Sequence, residues 1–308
     1  MKILITGGAG FIGSNLVERL IKGNEVIVLD NLSTGKEENI KEFLGNKNFK
    51  FINGSITDLN LLRKMTCDVD YILHHAAIVS VTESIKNPIL TNEVNINGTL
   101  NVLTAAKENQ IKKLAFASSC AVYGDSPKLP KTENMNPNSK SPYAVTKLTG
   151  EYYCNVFKNI YDLETLSLRY FNCYGPKQSR ESEYAAVIPK FIFAALNDKP
   201  IMIYGDGRQT RDFVYVKDVV NANLSISKKG EGIYNIGSGG KVTINELADK
   251  IIELTKSKSE IIHKKQRKGD IKHSLADISK AKKEIGYEPK YNLEQGLNET
   301  IRWFKNFK

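Results

Sequence analysis

Lys2-Ile-Leu-Ile-Thr6-Gly7-Gly8-Ala9-Gly10-Phe11-Ile12-Gly13 passes from five strand-forming residues into a glycine turn and on into a helical pattern. That order decides the fold. A buried strand feeding Gly-x-x-Gly-x-x-Gly and then a helix is the dinucleotide-binding turn. Gly7, Gly10 and Gly13 allow the tight turn, the close approach of backbone to a pyrophosphate, and the packing of helix on strand. The helix N-terminus offers its unpaired N–H groups to the anion, and Phe11 and Ile12 line the same entry while serving packing. No Gly-Lys-Ser/Thr follows, which excludes a P-loop. Asp30 closes the second strand, where an acid accepts the ribose hydroxyls of an adenosine and repels a 2′-phosphate, so NAD is expected over NADP.

The same rhythm continues outward. Runs at 2–6, 25–29, 49–53, 71–75, 113–118 and 165–169 read as buried strands, and 10–22, 59–65, 92–108 and 142–161 as helices. Such alternation predicts an α/β fold with a Rossmann-type, doubly wound parallel sheet over residues 1–170. Beyond Tyr170 the pattern loosens. An apolar helix at 185–196, a turn cluster from Asn235 to Gly240 and helices at 243–256 and 293–306 predict a smaller C-terminal α/β substrate domain over 171–308, with 213–237 able to pack back on the first.

Composition narrows the partners. The chain has 308 residues and a net charge of +10, but only 8 of its 44 basic residues are arginine and the lysines are scattered. This reads as a lysine-rich surface, and no nucleic-acid module accompanies it. Four cysteines without a Cys-x-x-Cys pair argue against zinc and disulfides and fit a reducing compartment. His74 and His75, adjacent in a strand, point to opposite faces, so no metal site is expected. The opening residues break into glycines too early for a signal peptide, and no apolar run reaches membrane-spanning length. A cytoplasmic protein is expected.

Tyr143-Ala-Val-Thr-Lys147 carries the chemistry. On a helix, i and i+4 share a face, and the Lys147 charge is expected to draw the Tyr143 pKa toward neutrality, making the phenol a general base for a hydroxyl. Ser118-Ser119 ends an apolar run upstream. Beside a dinucleotide turn, this trio points to hydride chemistry on an alcohol.

With these residues placed, the chain resembles the extended short-chain dehydrogenase/reductases and, within them, the UDP-hexose 4-epimerases. The likeness rests on Thr6-Gly-Gly-Ala-Gly-Phe-Ile-Gly13, His75-Ala76-Ala77, Asn95-Ile-Asn-Gly-Thr99, Ser118-Ser119-Cys-Ala-Val-Tyr-Gly124 and Tyr143-x-x-x-Lys147. Further along it rests on Arg169-Tyr-Phe-Asn172, Tyr204-Gly-Asp-Gly-Arg-Gln-Thr-Arg-Asp-Phe213 and Arg267-Lys-Gly-Asp270. The resemblance implies a catalytic Ser119, Tyr143 and Lys147. It implies a cofactor site that adds Asn31, Ser55, Ile56, Ala76, Ala77, Asn95, Ser118 and Tyr170 to the residues above. For the UDP-sugar it implies Asn172, Val187, Tyr204, Arg211, Arg267, Asp270 and Ser274. Two departures stand out: Ser55 replaces the aspartate that relatives place near adenine, and Lys268 replaces a proline.

Related dehydratases carry Thr-Asp-Glu where this chain has Ser119-Cys120-Ala121, and without those acids water elimination has no catalyst. The resemblance therefore implies 4-epimerisation: Tyr143 takes the C4 hydroxyl proton as the C4 hydride passes to bound NAD, the keto sugar turns over, and hydride returns to its other face. Small Ser274 aligns where a tyrosine excludes acetylated sugars in some relatives, which implies UDP-GlcNAc/UDP-GalNAc and also UDP-Glc/UDP-Gal as substrates. A UDP-glucuronic acid 4-epimerase or another extended short-chain dehydrogenase acting on a nucleotide sugar, such as a UDP-uronic acid decarboxylase, and an NAD-binding regulatory protein are the alternatives. A homodimer is implied, paired through helices 92–108 and 142–161, with Tyr153, Val156 and Phe157 as part of the seam or of the core.

Overall fold

The structure, a computed structural model, describes residues 1–179, 186–227, 230–266 and 272–306. Its centre is a seven-stranded parallel sheet built from β1 (Lys2–Thr6), β2 (Glu25–Asp30), β3 (Phe49–Asn53), β4 (Tyr71–His74), β5 (Lys113–Ser119), β6 (Glu164–Tyr170) and β7 (Gly232–Ile236). The order is β7-β6-β5-β4-β1-β2-β3. The chain winds outward from β1 in one direction and from β4 in the other, leaving a crevice beyond the carboxyl ends of β1 and β4, where doubly wound sheets bind ligands.

Alternation along the strands covers both faces. Leu4, Ile27, Leu29, Ile72, Leu114 and Phe116 pack with Val102, Leu103 and Phe157 on one side. Ile3, Ile5, Val26, Val28, Leu73, Leu166 and Leu168 pack with Leu16, Val17 and Val219 on the other. Four helices matter for the site besides α1 (Phe11–Leu20): α2 (Leu59–Thr66), α3 (Gly98–Glu108), α4 (Pro142–Tyr161) and α5 (Val216–Asn223). The sequence pattern placed the first six strands to within a residue or two. It missed β7, because Gly232 and the turn residues after Ile236 mask a short strand; Asn235 and Ile236 belong to β7 rather than to a turn. The segment 213–237 thus supplies both β7, paired to β6, and α5, which packs on the same sheet face as α1.

The helix expected at 92–108 is also different. Pro88–Asn92 leads into a π turn at Glu93–Asn97 and only then into α3. The extra residue turns Asn95 inward, where its amide accepts from the Ile78 N–H (2.8 Å) and donates to the Ile78 carbonyl (3.0 Å) and to Thr146 on α4 (3.0 Å). A wide turn that serves one inserted polar side chain is a common use of π geometry.

A third apolar cluster lies outside the sheet. Tyr174, Ile188, Phe191, Ile201, Ile203, Leu247, Ile251, Leu297 and Phe304 gather the helices Val187–Ala195, Ile244–Thr255 and Leu293–Asn306 around the parallel pair Ile201–Tyr204 and Ile261–Lys264. Among the described residues no helix is long and apolar enough to cross a membrane. The four cysteines are free.

Candidate active site

Helix α4 starts where its sequence dictates. Ser141 caps it by accepting from the Ala144 N–H, and Pro142 occupies the first turn, where a missing N–H costs nothing. Ser84, on the short helix Val81–Lys86, accepts from the Tyr143 N–H (3.1 Å). The entry to α4 is thereby pinned from two sides. Gly150 then lets the helix lie on β5, since a methyl group there would stand 2.3 Å from the buried Phe116 ring.

This seating brings the three expected catalytic residues together. Ser119, at the end of β5, accepts from the Ala121 N–H (3.2 Å) and lies close enough to Tyr143 to influence its phenol. Lys147 is buried, donates to the Ala117 carbonyl (2.8 Å) and lies 5.0 Å from the Phe116 ring centroid and 5.9 Å from that of Tyr143. Burial pulls the Lys147 ammonium down to about 8, against the opposing influence of Cys154 and Glu151. The Tyr143 phenol moves opposite to expectation. Burial pushes it up to about 12, with Ser119 acting the other way. In the protein alone, desolvation of the phenolate outweighs what Lys147 offers, because burial penalises the charged form directly.

The glycine turn is equally close-packed. Gly7 has φ +72°, and a methyl group on it would meet the Ala76 backbone N at 2.6 Å. One on Gly13 would lie 2.1 Å from the Gly7 carbonyl oxygen. Helix α1 begins at Gly10 with no side-chain cap and no acid in its first turn, leaving its N-terminus to an anion. Asp30 accepts from the Ala9 N–H (3.0 Å) and the Leu32 N–H (2.8 Å). Burial raises its pKa while these two bonds lower it. Asn31 is exposed, Ser55 is half-buried with its hydroxyl on Thr57 (2.8 Å), and Ile56 is buried. Ala76 and Ala77 are half-buried just beyond β4.

Three residues expected at the cofactor have their side-chain polar groups engaged within the protein. Asn95 clamps the loop after β4, Ser118 donates to Glu151 (2.5 Å), and the Tyr170 hydroxyl meets His75 (3.0 Å) and Asn223. Sequence reasoning overlooked the chain that runs on from Asn95. Thr99 donates to the Asn95 carbonyl (2.6 Å), so it accepts from His74 Nε2 (2.9 Å), and His74 Nδ1 accepts from Thr6 (2.7 Å). Burial, followed by the Lys147 charge, holds the His74 pKa well below its ordinary value, so the ring is neutral.

Further along the chain, Asn172 donates to the Asp212 carbonyl (2.9 Å) and Arg211 to the carbonyls of Thr210 (3.0 Å) and Lys272 (3.3 Å). Asp212 is fully buried and accepts from Ser238, Gly239 and Ala276; it is a structural clamp. Ser274 is buried and donates its N–H to the Thr210 carbonyl (3.0 Å). Val187 opens its helix half-buried, and Tyr204 is exposed. Arg267 and Asp270 lie outside the described residues. Cys120, not singled out in advance, sits among these groups: burial and then Asp212 push its thiol up to about 11, while Arg211 and a hydrogen bond from the Asn172 backbone act against them. Its neighbours Arg211, Asp212 and Asn172 are far away in sequence and come together only in three dimensions.

A dinucleotide turn facing a Ser–Tyr–Lys cluster across the sheet's crevice defines a protein of the extended short-chain dehydrogenase/reductase class. The chain belongs to the NAD dependent epimerase/dehydratase family, whose model matches residues 3–237. It is 41% identical over 307 residues, 99% of this chain and 98% of the relative, to a putative UDP-glucose 4-epimerase of Methanocaldococcus jannaschii. Among solved structures it superposes with a TM-score of 0.96 on a UDP-N-acetylglucosamine 4-epimerase from Methanobrevibacter ruminantium M1 in complex with UDP-N-acetylmuramic acid, at 43% identity over 100% of this chain and 99% of that one. A UDP-glucose 4-epimerase of Thermus thermophilus in complex with NAD gives a TM-score of 0.90 at 37% identity, covering 99% of each chain.

Asp30→Asn keeps the shape of the strand end while removing the charge and one acceptor. Losing a charged hydrogen bond of about 1.5–3 kcal/mol weakens NAD binding by roughly 10- to 100-fold and narrows the preference over NADP. Calorimetric titration of stripped protein reads both constants; an unchanged NAD-to-NADP ratio removes Asp30 from the adenosine site.

Proposed function

We propose that this protein interconverts UDP-sugars at C4, with NAD held throughout the cycle, and that UDP-GlcNAc and UDP-GalNAc are among its substrates alongside UDP-Glc and UDP-Gal. The observation that carries the reading is the seating of Ser119, Tyr143 and Lys147 together on the crevice side of α4 and β5, with no carboxylate at positions 119–121. An elimination or decarboxylation of the related kinds places acids there; an epimerisation requires none.

The residues present fit NAD. The bare N-terminus of α1, the Gly7–Gly13 cradle that a methyl group would fill, and the buried Asp30 carboxylate would hold pyrophosphate and ribose. When bound, NAD supplies reversible hydride acceptance. The protein's own work is proton handling. Tyr143 takes the proton from the C4 hydroxyl and gives it back, and Ser119, beside the phenol, shares that proton and steadies the C4 oxygen. A phenol near 12 is a poor base at neutral pH, so the reaction needs cationic help, and Lys147 is the protein's own cation on that side. Its charge acts most strongly once substrate has displaced water.

The region 171–308 would hold the nucleotide. Arg211 forks toward a phosphate, Asn172 and Val187 flank the sugar and nucleotide, and exposed Tyr204 offers a flat face to uracil; Arg267 and Asp270 complete the reading from sequence. Small Ser274 leaves room for an acetamido group. Free cysteines fit a reducing cytoplasm.

We place a second copy of the chain on the exposed face of α4. Val145, Tyr152 and Val156 are exposed there, and Val81, Ile85 and Ile89 are exposed on the short helices that pack against α4, so apolar surface is gathered on one side. Val156 is exposed and would serve this seam, whereas Phe157 is buried in the protein's own core and Tyr153 packs against that core.

Incubation with UDP-GlcNAc, without added NAD, yields UDP-GalNAc by proton NMR of the sugar, and Ser274→Tyr removes that conversion while sparing UDP-Glc to UDP-Gal. Loss of both conversions in the variant, or neither in the wild type even with NAD, rejects the substrate reading. Light scattering gives a dimer mass for the wild type and a monomer for Val145→Glu/Val156→Glu; a wild-type monomer rejects the seam.

A further inference from the structure

Glu151 follows Lys147 by one helical step of four residues, so Tyr143, Lys147 and Glu151 lie along one stripe of α4. It is fully buried. Its carboxylate takes a fork from Arg169 on β6, Nε to Oε1 at 2.8 Å and Nη2 to Oε2 at 2.6 Å, and a third bond from Ser118 (2.5 Å), the neighbour of Ser119. Arg169 also lies 4.7 Å from the Tyr123 ring centroid, and Tyr123 bonds Asn235 on β7 (2.7 Å). One carboxylate therefore ties α4 to β5 and β6 beneath the Tyr143–Lys147 pair.

A buried ion pair is a weak source of stability, which makes its position under the site the notable fact. The polar lining continues along β6: Thr165 donates to the Cys154 carbonyl (3.1 Å) and Ser167 hydrogen-bonds the Cys154 thiol. Leu166 and Leu168, on the opposite face of the strand, are apolar. Helix α4 is seated on β6 through directed bonds that admit one register.

Resting on the epimerase reading, we propose that Glu151, held by Arg169 and Ser118, is a positioning residue that sets Lys147 and Ser119 against Tyr143 and keeps the Lys147 ammonium charged during turnover. The groups around Lys147 are Tyr143, Glu151 and Cys154 on α4 and the neutral His74 and His75 from β4, with Arg169 reaching it through Glu151. Of these, Glu151 is the anion. Burial draws the Lys147 pKa down to about 8, and Cys154 and then Glu151 oppose it, so removing the carboxylate charge lowers that pKa further.

The test compares Glu151→Gln, Arg169→Met and Ser118→Ala in the full chain with NAD bound, over a range of pH. Glu151→Gln is expected to lower kcat by about 10- to 100-fold with KM nearly unchanged, and to move the alkaline limb of kcat to lower pH by about one unit or more. Arg169→Met unties the carboxylate from β6 and is expected to lower kcat as Glu151→Gln does. Ser118→Ala keeps the ion pair, so the limb stays while kcat falls several-fold; it serves if the other two variants fail to fold. Direct titration of Lys147 by NMR of labelled lysine in the substrate-free protein, assigned through Lys147→Arg, must show the same shift for Glu151→Gln. Equal limbs in wild type and Glu151→Gln, wild-type kcat in Arg169→Met, or wild-type kcat in Ser118→Ala overturns the proposal. A wild type that turns over no UDP-sugar rejects the epimerase reading instead, and the Lys147 titration still decides the role of Glu151.

Discussion

The register of helix α4 against strands β5 and β6 is the constraint on which the site depends. Tyr143 and Lys147 are one step apart on that helix, and Ser119 ends the strand beneath it, so a slip by one residue would rotate the phenol about 100° away from its partner. Apolar packing alone tolerates such slips better than directed bonds do. Here the underside of α4 meets the sheet through Glu151, Cys154 and Gly150, opposite Arg169, Ser167 and Phe116. Two of those contacts are hydrogen-bonded, and the third admits no side chain.

A second polar chain links the cofactor turn to the same helix. Ala76 N–H, Thr6, His74, Thr99 and the Asn95 carbonyl form a continuous run, and the Asn95 amide reaches Thr146 on α4. All of these groups are satisfied, so their burial carries little penalty. The carboxyl ends of β1 and β4 and the first turns of α4 are therefore fixed relative to each other by side chains of residues 6–146 alone.

Much of this was legible in the sequence. The six strands announced themselves because buried parallel strands are apolar on both faces, and the glycine turn because only glycine fits where backbones approach within a methyl's width. The pairing of Tyr143 with Lys147 followed from helical periodicity. What stayed hidden depends on burial and tertiary context. The Tyr143 pKa runs upward because the phenol is desolvated, a property of everything around it. The π turn at Glu93–Asn97 follows from Asn95 finding partners on two distant segments, and β7 is too short and glycine-bounded to stand out. Glu151 was within reach, since a glutamate one step beyond Lys147 on the same face is a readable signal, but only the fork from Arg169 gives it meaning. Phe157 and Val156, adjacent in sequence, separate into core and surface by the same periodicity.

The central claim is that Tyr143 moves only the hydroxyl proton while the C4 hydrogen never leaves the enzyme. Turnover of a UDP-hexose in deuterium oxide, followed by NMR of the product, tests it most directly. The account predicts an epimerised product that retains protium at C4. Deuterium at C4 would mean that the carbon-bound hydrogen exchanges with solvent, and it would contradict this mechanism.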